Sequence, residues 1–263
     1  MTTFIDQINN SVQLPGPPKK IISLVPSQTE LLYDLGLDEE VVGITKFCIH
    51  PKYWFNTKQR IGGTKTVNVE LVKSMQPDLV IANKEENVKS QVEEIGIFCP
   101  VFTSDINTLE DALEMILQLG KVVDKEEPAI RLVDNIQAEF ATLPQAPQKL
   151  RTAYLIWKDP YMTVGPNTFI SDMLGLYGFE NIIAQPRYPQ VTIEELKSLQ
   201  CELLLLSSEP YPFKEKHIED LKKELPGTKV VLVDGEMFSW YGSRLQYAPT
   251  YFIELVERIN QLV

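Results

Sequence analysis

The sequence predicts two similar α/β lobes, each built on a parallel sheet, joined by one long backbone helix with a ligand cleft between the lobes. Three observations predict it. Short apolar runs alternate with helical patterns along most of the chain, two stretches repeat at a constant offset, and a long helical tract separates them. The expected limits are an N-terminal leader at 1–18, a first lobe at 19–106, linking helices at 107–147 and a second lobe at 148–263.

Residues 1–18 are polar and end in Pro15-Gly16-Pro17-Pro18, which reads as a leader. Lys20-Ile21-Ile22-Ser23-Leu24-Val25 is a short apolar run of buried-strand type, and Thr29 to Gly36 follows as a helix closed by glycine. Val41-Val42-Gly43-Ile44-Thr45 is the next strand. This rhythm of strand and helix continues, as parallel α/β units require.

The repeat sets Val67 to Ile81 against Val191 to Leu205 at one offset. Val, Glu, Lys, Ser and Gln recur at equivalent places: Val67 and Val191, Glu70 and Glu194, Lys73 and Lys197, Ser74 and Ser198, Gln76 and Gln200. Each stretch reads as a capped helix, led by Asn68 or Thr192, that runs into a buried strand. Leu35-Gly36-Leu37 is paired with Leu174-Gly175-Leu176, and Pro100 to Asp105 with Lys229 to Asp234. Three matches in the same order point to two related lobes.

Between them, Thr108 to Val123 carries Leu109, Leu113, Ile116 and Leu117 at helical spacing. A second helix is expected from about Lys125 to Leu143, with Ile130, Val133, Ile136 and Phe140 on one face and Pro128 in its first turn. About 19 residues at roughly 1.5 Å each make a rod near 28 Å. Pro144 and Pro147 end it. Such a rod is a stiff spacer.

The net charge of −11, from 36 acidic and 25 basic residues, disfavours nucleic acid or an anionic membrane surface as partner. Cys48, Cys99 and Cys201 suggest no disulfide framework. The residues after Met1 show no basic and apolar export pattern, and no run of 18 apolar residues occurs, so a cytoplasmic protein without direct membrane insertion is the literal expectation.

In parallel α/β lobes, ligands gather at the loops after the strands. Those loops offer Lys46, Cys48, His50, Glu85 and Asn87 in the first lobe. In the second they offer Trp157, Lys158, Tyr161, Trp240, Tyr241 and Arg244. All three Trp, at 54, 157 and 240, fall in such segments. Aromatic walls with cations suit a flat or anionic organic ligand, and the alternative is that these rings fill lobe edges. Cys48 and His50, two apart on an extended loop, would point the same way and are candidate ligands for a soft metal. The alternative is that they line a pocket. His217 lies in a charged helix and is expected to be solvated. Catalytic signatures are scarce: there is no Gly-rich phosphate loop, no G-x-S-x-G and no HExxH.

Strand–Pro26-Ser27-x-Thr29-Glu30–helix, then Gly62-Gly63-Thr64 ahead of Asn68-Val69-Glu70, then Gln76-Pro77-Asp78-Leu79-Val80, resembles the helical-backbone (class III) substrate-binding proteins of ABC importers, across residues 20–263. The nearest resemblance is to the cobalamin-binding receptors, within a family that also carries ferric siderophores and haem. The resemblance implies a monomer, not an enzyme, at the periplasmic side or cell surface, with no intrinsic cofactor. Its ligand is a metal chelate such as a corrinoid, and its partner an ABC permease. It implies that Glu70 and Glu194 dock onto permease arginines, where the alternative is a pair of ordinary first-turn helix charges. Thr64 stands where the cobalamin subtype has a Trp. Two other readings are a cytosolic chelate carrier or sensor without permease docking, and an enzyme using Cys48 as nucleophile.

Overall fold

The computed structural model describes residues 1–144 and 149–262. The expected end of the rod at Pro147, and the boundary drawn there, lie outside the described residues. The chain divides into two units. Unit 1 comprises Met1–Ile106, Glu110–Ile136 and Tyr241–Arg244, and unit 2 comprises Asn107–Leu109, Gln137–Trp240 and Leu245–Val263.

The first residues are not a loose leader. Strands β1 (Thr2–Ile5) and β2 (Ser11–Leu14) pair as an antiparallel hairpin, and Val12 and Leu14 are buried. Asp6 at its turn is buried too, because its carboxylate accepts from the backbone N–H groups of Ile8, Asn10 and Thr103. The alternation Ser11-Val12-Gln13-Leu14 is the local cause: a one-sided strand buries only every second residue.

Unit 1 is organised around five parallel strands, β3 (Ile21–Ser23), β4 (Val41–Ile44), β5 (Gln59–Arg60), β8 (Leu79–Asn83) and β9 (Val101–Ser104). Their order in the sheet is β5-β4-β3-β8-β9. Every residue of β3 and β8 is buried, as apolar runs of that length require when both sheet faces are covered. Helices α1 (Pro26–Asp34), α2 (Lys52–Thr57), α3 (Val69–Met75) and α4 (Lys89–Gly96) connect the strands, with a small ribbon of β6 (Gly62–Gly63) and β7 (Thr66–Val67). Gly62, at φ +110°, forms the tight entry to that ribbon, where a Cβ would run into the Thr66 backbone.

Helices α5 (Leu109–Val122) and α6 (Glu126–Ala141) form the linking tract. Residues 110–136 of it group with unit 1, and residues 107–109 and those from 137 onward group with unit 2. Ala112, Met115, Ile116 and Leu119 of α5 are buried, as are Ala129, Val133 and Ile136 of α6. A Cβ on Gly120 would collide with the Ala129 side chain, so glycine lets the two helices approach closely.

The strands of unit 2 are β10 (Leu150–Trp157), β11 (Met162–Thr163), β12 (Phe179–Asn181), β13 (Leu203–Ser207) and β14 (Lys229–Val233). Their order is β11-β10-β13-β14, with β12 also paired to β10, and all but β11 run parallel to their neighbours. Their helices are α7 (Phe169–Leu176), α8 (Ile193–Ser198), α9 (Glu215–Glu224), α10 (Glu236–Ser239) and α11 (Ala248–Asn260). The Leu203–Leu206 run is wholly buried. Leu204 and Leu206 pack with Ala153, Leu155, Leu196 and Leu221, while Tyr154, one residue out of phase on β10, meets Phe238 with ring centroids 5.0 Å apart.

The predicted repeat is real in each unit. β4-β3-β8-β9 and β12-β10-β13-β14 are the same strand order, and β8 and β13 sit at the predicted equivalent residues. Asn68 caps α3 by accepting from Leu71 N–H, and Thr192 caps α8 by accepting from Glu195 N–H. The helix-ending Gln76 and Gln200 both adopt the left-handed conformation, at φ 51° and 52°. Val80 pairs Val101 as Leu204 pairs Val230, so the two similar runs hold equivalent places in their sheets. The glycine match differs. Gly175 lies inside α7, and the counterpart of Gly36 (φ +80°) is Gly178 (φ +78°), each at the left-handed exit of its helix.

Candidate functional site

In each unit the carboxyl end of the sheet has a switch point, where successive connections leave in opposite directions. It falls between β3 and β8 in unit 1, and between β10 and β13 in unit 2.

In unit 1 this crevice is braced from inside by Asn87. Its amide Nδ2 donates to Thr64 O at 3.0 Å and Leu24 O at 3.4 Å, and its Oδ1 accepts from Asn83 N–H at 2.8 Å. Asn87 is buried, so the structure makes it a tie between loops rather than an open ligand contact. Beside it, Gln28 donates to Ser104 Oγ at 2.5 Å, and Asn83 donates to the same oxygen at 3.0 Å. On the loop after β4, Lys46, Phe47 and Ile49 are exposed. Phe47 is 51% exposed, and Lys46 Nζ sits 5.1 Å from its ring centroid. Glu85 and Glu86 are half-buried on the next loop, where Lys65 donates to Glu85 O.

Cys48 and His50 do not share an extended loop. Cys48 N–H donates to Thr45 O, which turns the chain, and Cys48 is fully buried while His50 is half-buried. The thiol is 3.1 Å from both Thr29 Oγ1 and Thr45 Oγ1. Burial pushes it up to about 11, against the help of those two hydroxyls, so at neutral pH it is a thiol rather than a thiolate. Among the described residues no group of three or more His, Cys, Asp or Glu is placed to hold a metal ion. Trp54 is also core: it is fully buried, its Nε1–H donates to Asp38 at 2.6 Å, and Tyr33 meets its ring edge-on.

Tyr241 and Arg244, read from sequence as second-lobe loop residues, belong to unit 1. Arg244 grips Glu30 of α1 with two bonds, at 2.9 Å and 2.6 Å, and both side chains are largely buried. Ser243 donates to Asp34, and Tyr241 OH donates to Glu86. Gly242 lies against the Ser27 carbonyl, where a Cβ would not fit. Desolvation raises the Glu30 carboxyl above its ordinary range despite the Arg244 bonds, and likewise raises Asp34. Sequence reasoning missed both acids. Glu30 was in view within Pro-Ser-x-Thr-Glu, but no local signal names its arginine.

In unit 2 the open side of the switch point is aromatic. Trp157 is 42% exposed and meets Tyr211 edge-on, with centroids 5.7 Å apart. Tyr211 continues to Phe213 at 4.8 Å, and His217 packs against both rings. His217 is buried rather than solvated: its Nδ1 accepts from Lys214 N–H at 2.8 Å, and burial lowers its pKa. Lys158 and Tyr161 line a cavity of about 260 Å³ with His217 and Asp220. A larger, mainly apolar cavity of about 400 Å³ lies by Leu150, Phe179 and Lys229, the first residues of their strands, and so at the opposite end from these loops. Trp240 is only 6% exposed, and its Nε1–H donates to Glu209 at 3.0 Å. Glu209, which sequence reasoning passed over, also accepts from Ser239 at 2.9 Å, and desolvation raises its carboxyl.

Glu70 and Glu194 stand at equivalent exposed positions, each two residues after its helix cap. No helix among the described residues is long and apolar enough to cross a membrane.

Comparison with known proteins agrees with this architecture. The model of the family described as periplasmic binding protein matches residues 21–228. The chain is 28% identical to the vitamin B12-binding protein of Vibrio parahaemolyticus over 197 residues, covering 73% of this chain and 71% of that one. It is 29% identical to the uncharacterized ABC transporter substrate-binding lipoprotein YvrC of Bacillus subtilis, covering 77% and 68%. The solved periplasmic heme-binding protein BhuT, in complex with two hemes, superposes with a TM-score of 0.77 at 20% identity, covering 93% and 98%.

Proposed function

The chain belongs to the periplasmic binding protein family, and on that premise we propose that it captures a metal chelate of the corrinoid, haem or siderophore type and delivers it to an ABC permease. The family match over residues 21–228 carries this reading. It is supported by the vitamin B12-binding relative and by the ABC substrate-binding relative.

In each unit the candidate ligand contacts are the side chains that its own carboxyl edge leaves open. Lys46 and Phe47 serve in unit 1, with the half-buried His50 and Glu85 of the loops after β4 and β8. Trp157, Lys158 and Tyr161 serve in unit 2. Exposed ring faces beside ammonium groups suit a flat ligand with anionic substituents. Trp240, Tyr241 and Arg244 hold the surroundings in place through Glu209, Glu86 and Glu30. On this reading the protein brings no cofactor and performs no reaction, and the burial of Cys48 argues against the one nucleophile considered. Glu70 and Glu194 dock on basic groups of the permease, as matched carboxylates on the two repeats.

Reconstituted transport tests this directly. Proteoliposomes carrying the importer's permease and ATPase should accumulate labelled chelate only when this protein and ATP are both supplied. Accumulation that ignores the protein would contradict delivery.

A further inference from the structure

We infer that the two docking glutamates are unequal, with Glu70 the principal anchor and Glu194 held back by its own counter-ion, Lys197. This rests on the docking role proposed above. Both repeats carry the same Glu-x-x-Lys spacing, Glu70 with Lys73 and Glu194 with Lys197, so sequence alone makes the sites equivalent.

The side chains break that equivalence. In unit 2, Lys197 Nζ lies 2.8 Å from Glu194 Oε1, and Glu224 at the end of α9 also attracts it. In unit 1 the corresponding lysine turns elsewhere: Lys73 Nζ sits 5.9 Å from the centroid of Phe98, just past α4. Glu70 has no ion-pair or hydrogen-bond partner among the described residues. The neighbouring helices explain the difference. An aromatic ring past α4, Phe98, draws Lys73 off its glutamate, whereas Glu224 of α9 helps hold Lys197 beside Glu194.

An arginine arriving at Glu194 therefore meets a cation already bound there and must displace it or share the carboxylate. An arginine arriving at Glu70 meets neither obstacle. Exposed pairs of this kind are weak, so Lys197 should cost docking a factor of about two to five rather than abolish it. Its effect should fade as salt screens both the pair and the docking contact.

The test measures binding of the full chain to the importer's own permease in lipid nanodiscs, at low and high salt. Glu70→Gln should weaken binding about tenfold, and Glu194→Gln by only about two- to fivefold. Lys197→Gln should tighten binding about two- to fivefold, and Lys73→Gln should leave it unchanged. In the Lys197→Gln background, the cost of Glu194→Gln should rise towards that of Glu70→Gln. Equal losses at the two glutamates in the wild-type background, or no gain from Lys197→Gln, would overturn the inequality. If the wild-type chain shows no binding at all, the docking reading itself fails, a distinct result. Circular dichroism of these four surface variants separates lost docking from lost folding.

Discussion

Cys48 shows how far a single side chain's meaning depends on its surroundings. As sequence, a cysteine two residues from a histidine offers a nucleophile or a metal ligand. In the fold its sulfur is sealed between Thr29 and Thr45, and burial lifts its pKa to about 11. Native protein at a pH of about 7.5 should therefore resist iodoacetamide at Cys48, and alkylation should appear only on unfolding, read by peptide mass mapping. Rapid native labelling would contradict the buried-thiol assignment. Glu209 is the converse case, an acid kept in place by Ser239 and Trp240 while desolvation raises its carboxyl. A carboxyl raised in the folded state binds its proton more readily folded than unfolded. Its charge therefore lowers stability above the folded pKa, and that cost is relieved as pH falls through it. Glu209→Gln keeps an acceptor for Trp240, so it should melt higher than wild type at a pH of about 7.5, with the gap closing on acidification. A gap that widens in acid would show the opposite sign.

At the scale of elements, the strands and helices of the repeat were legible because their signals are local. Asn68 and Thr192 announce helix starts, and the apolar runs Leu79–Ile81 and Leu203–Leu206 announce strands buried on both faces. The hairpin of β1 and β2 was less legible, since short strands with alternate polar residues resemble a polar leader. The glycine equivalence falls on Gly178 rather than Gly175, because Leu-Gly-Leu matches only in spelling, whereas the shared physical feature is a left-handed exit. Gly120 is an element-scale constraint that spacing alone did not disclose. Gly120→Ala should lower stability by about 1–3 kcal/mol, because the α5–α6 approach leaves no room against Ala129. Chemical denaturation reads this, and an unchanged midpoint would mean the helices can separate freely.

For the molecule as a whole, fold and family were readable and the site only partly so. Strand order follows from element order and repetition. Which groups remain open follows from tertiary contacts that leave no local mark. Nothing in Phe238 to Arg244 as a string says that Tyr241–Arg244 joins unit 1, or that Arg244 meets Glu30. The rule that sites lie beyond strand ends points to these loops, but within them Trp54 and Asn87 are framework, while Phe47 and Tyr211 accompany Lys46 and Trp157. Capture of a chelate by these open groups is the central claim. Its most direct measurement is calorimetric titration of the full chain with cobalamin, cobinamide, haem and a ferric hydroxamate, repeated with Trp157→Ala. One of these should bind reversibly at one set of sites and survive unchanged, and Trp157→Ala should weaken it about tenfold, a loss of roughly 1.4 kcal/mol. Failure of all four to bind, or chemical conversion of the one that does, would contradict the claim.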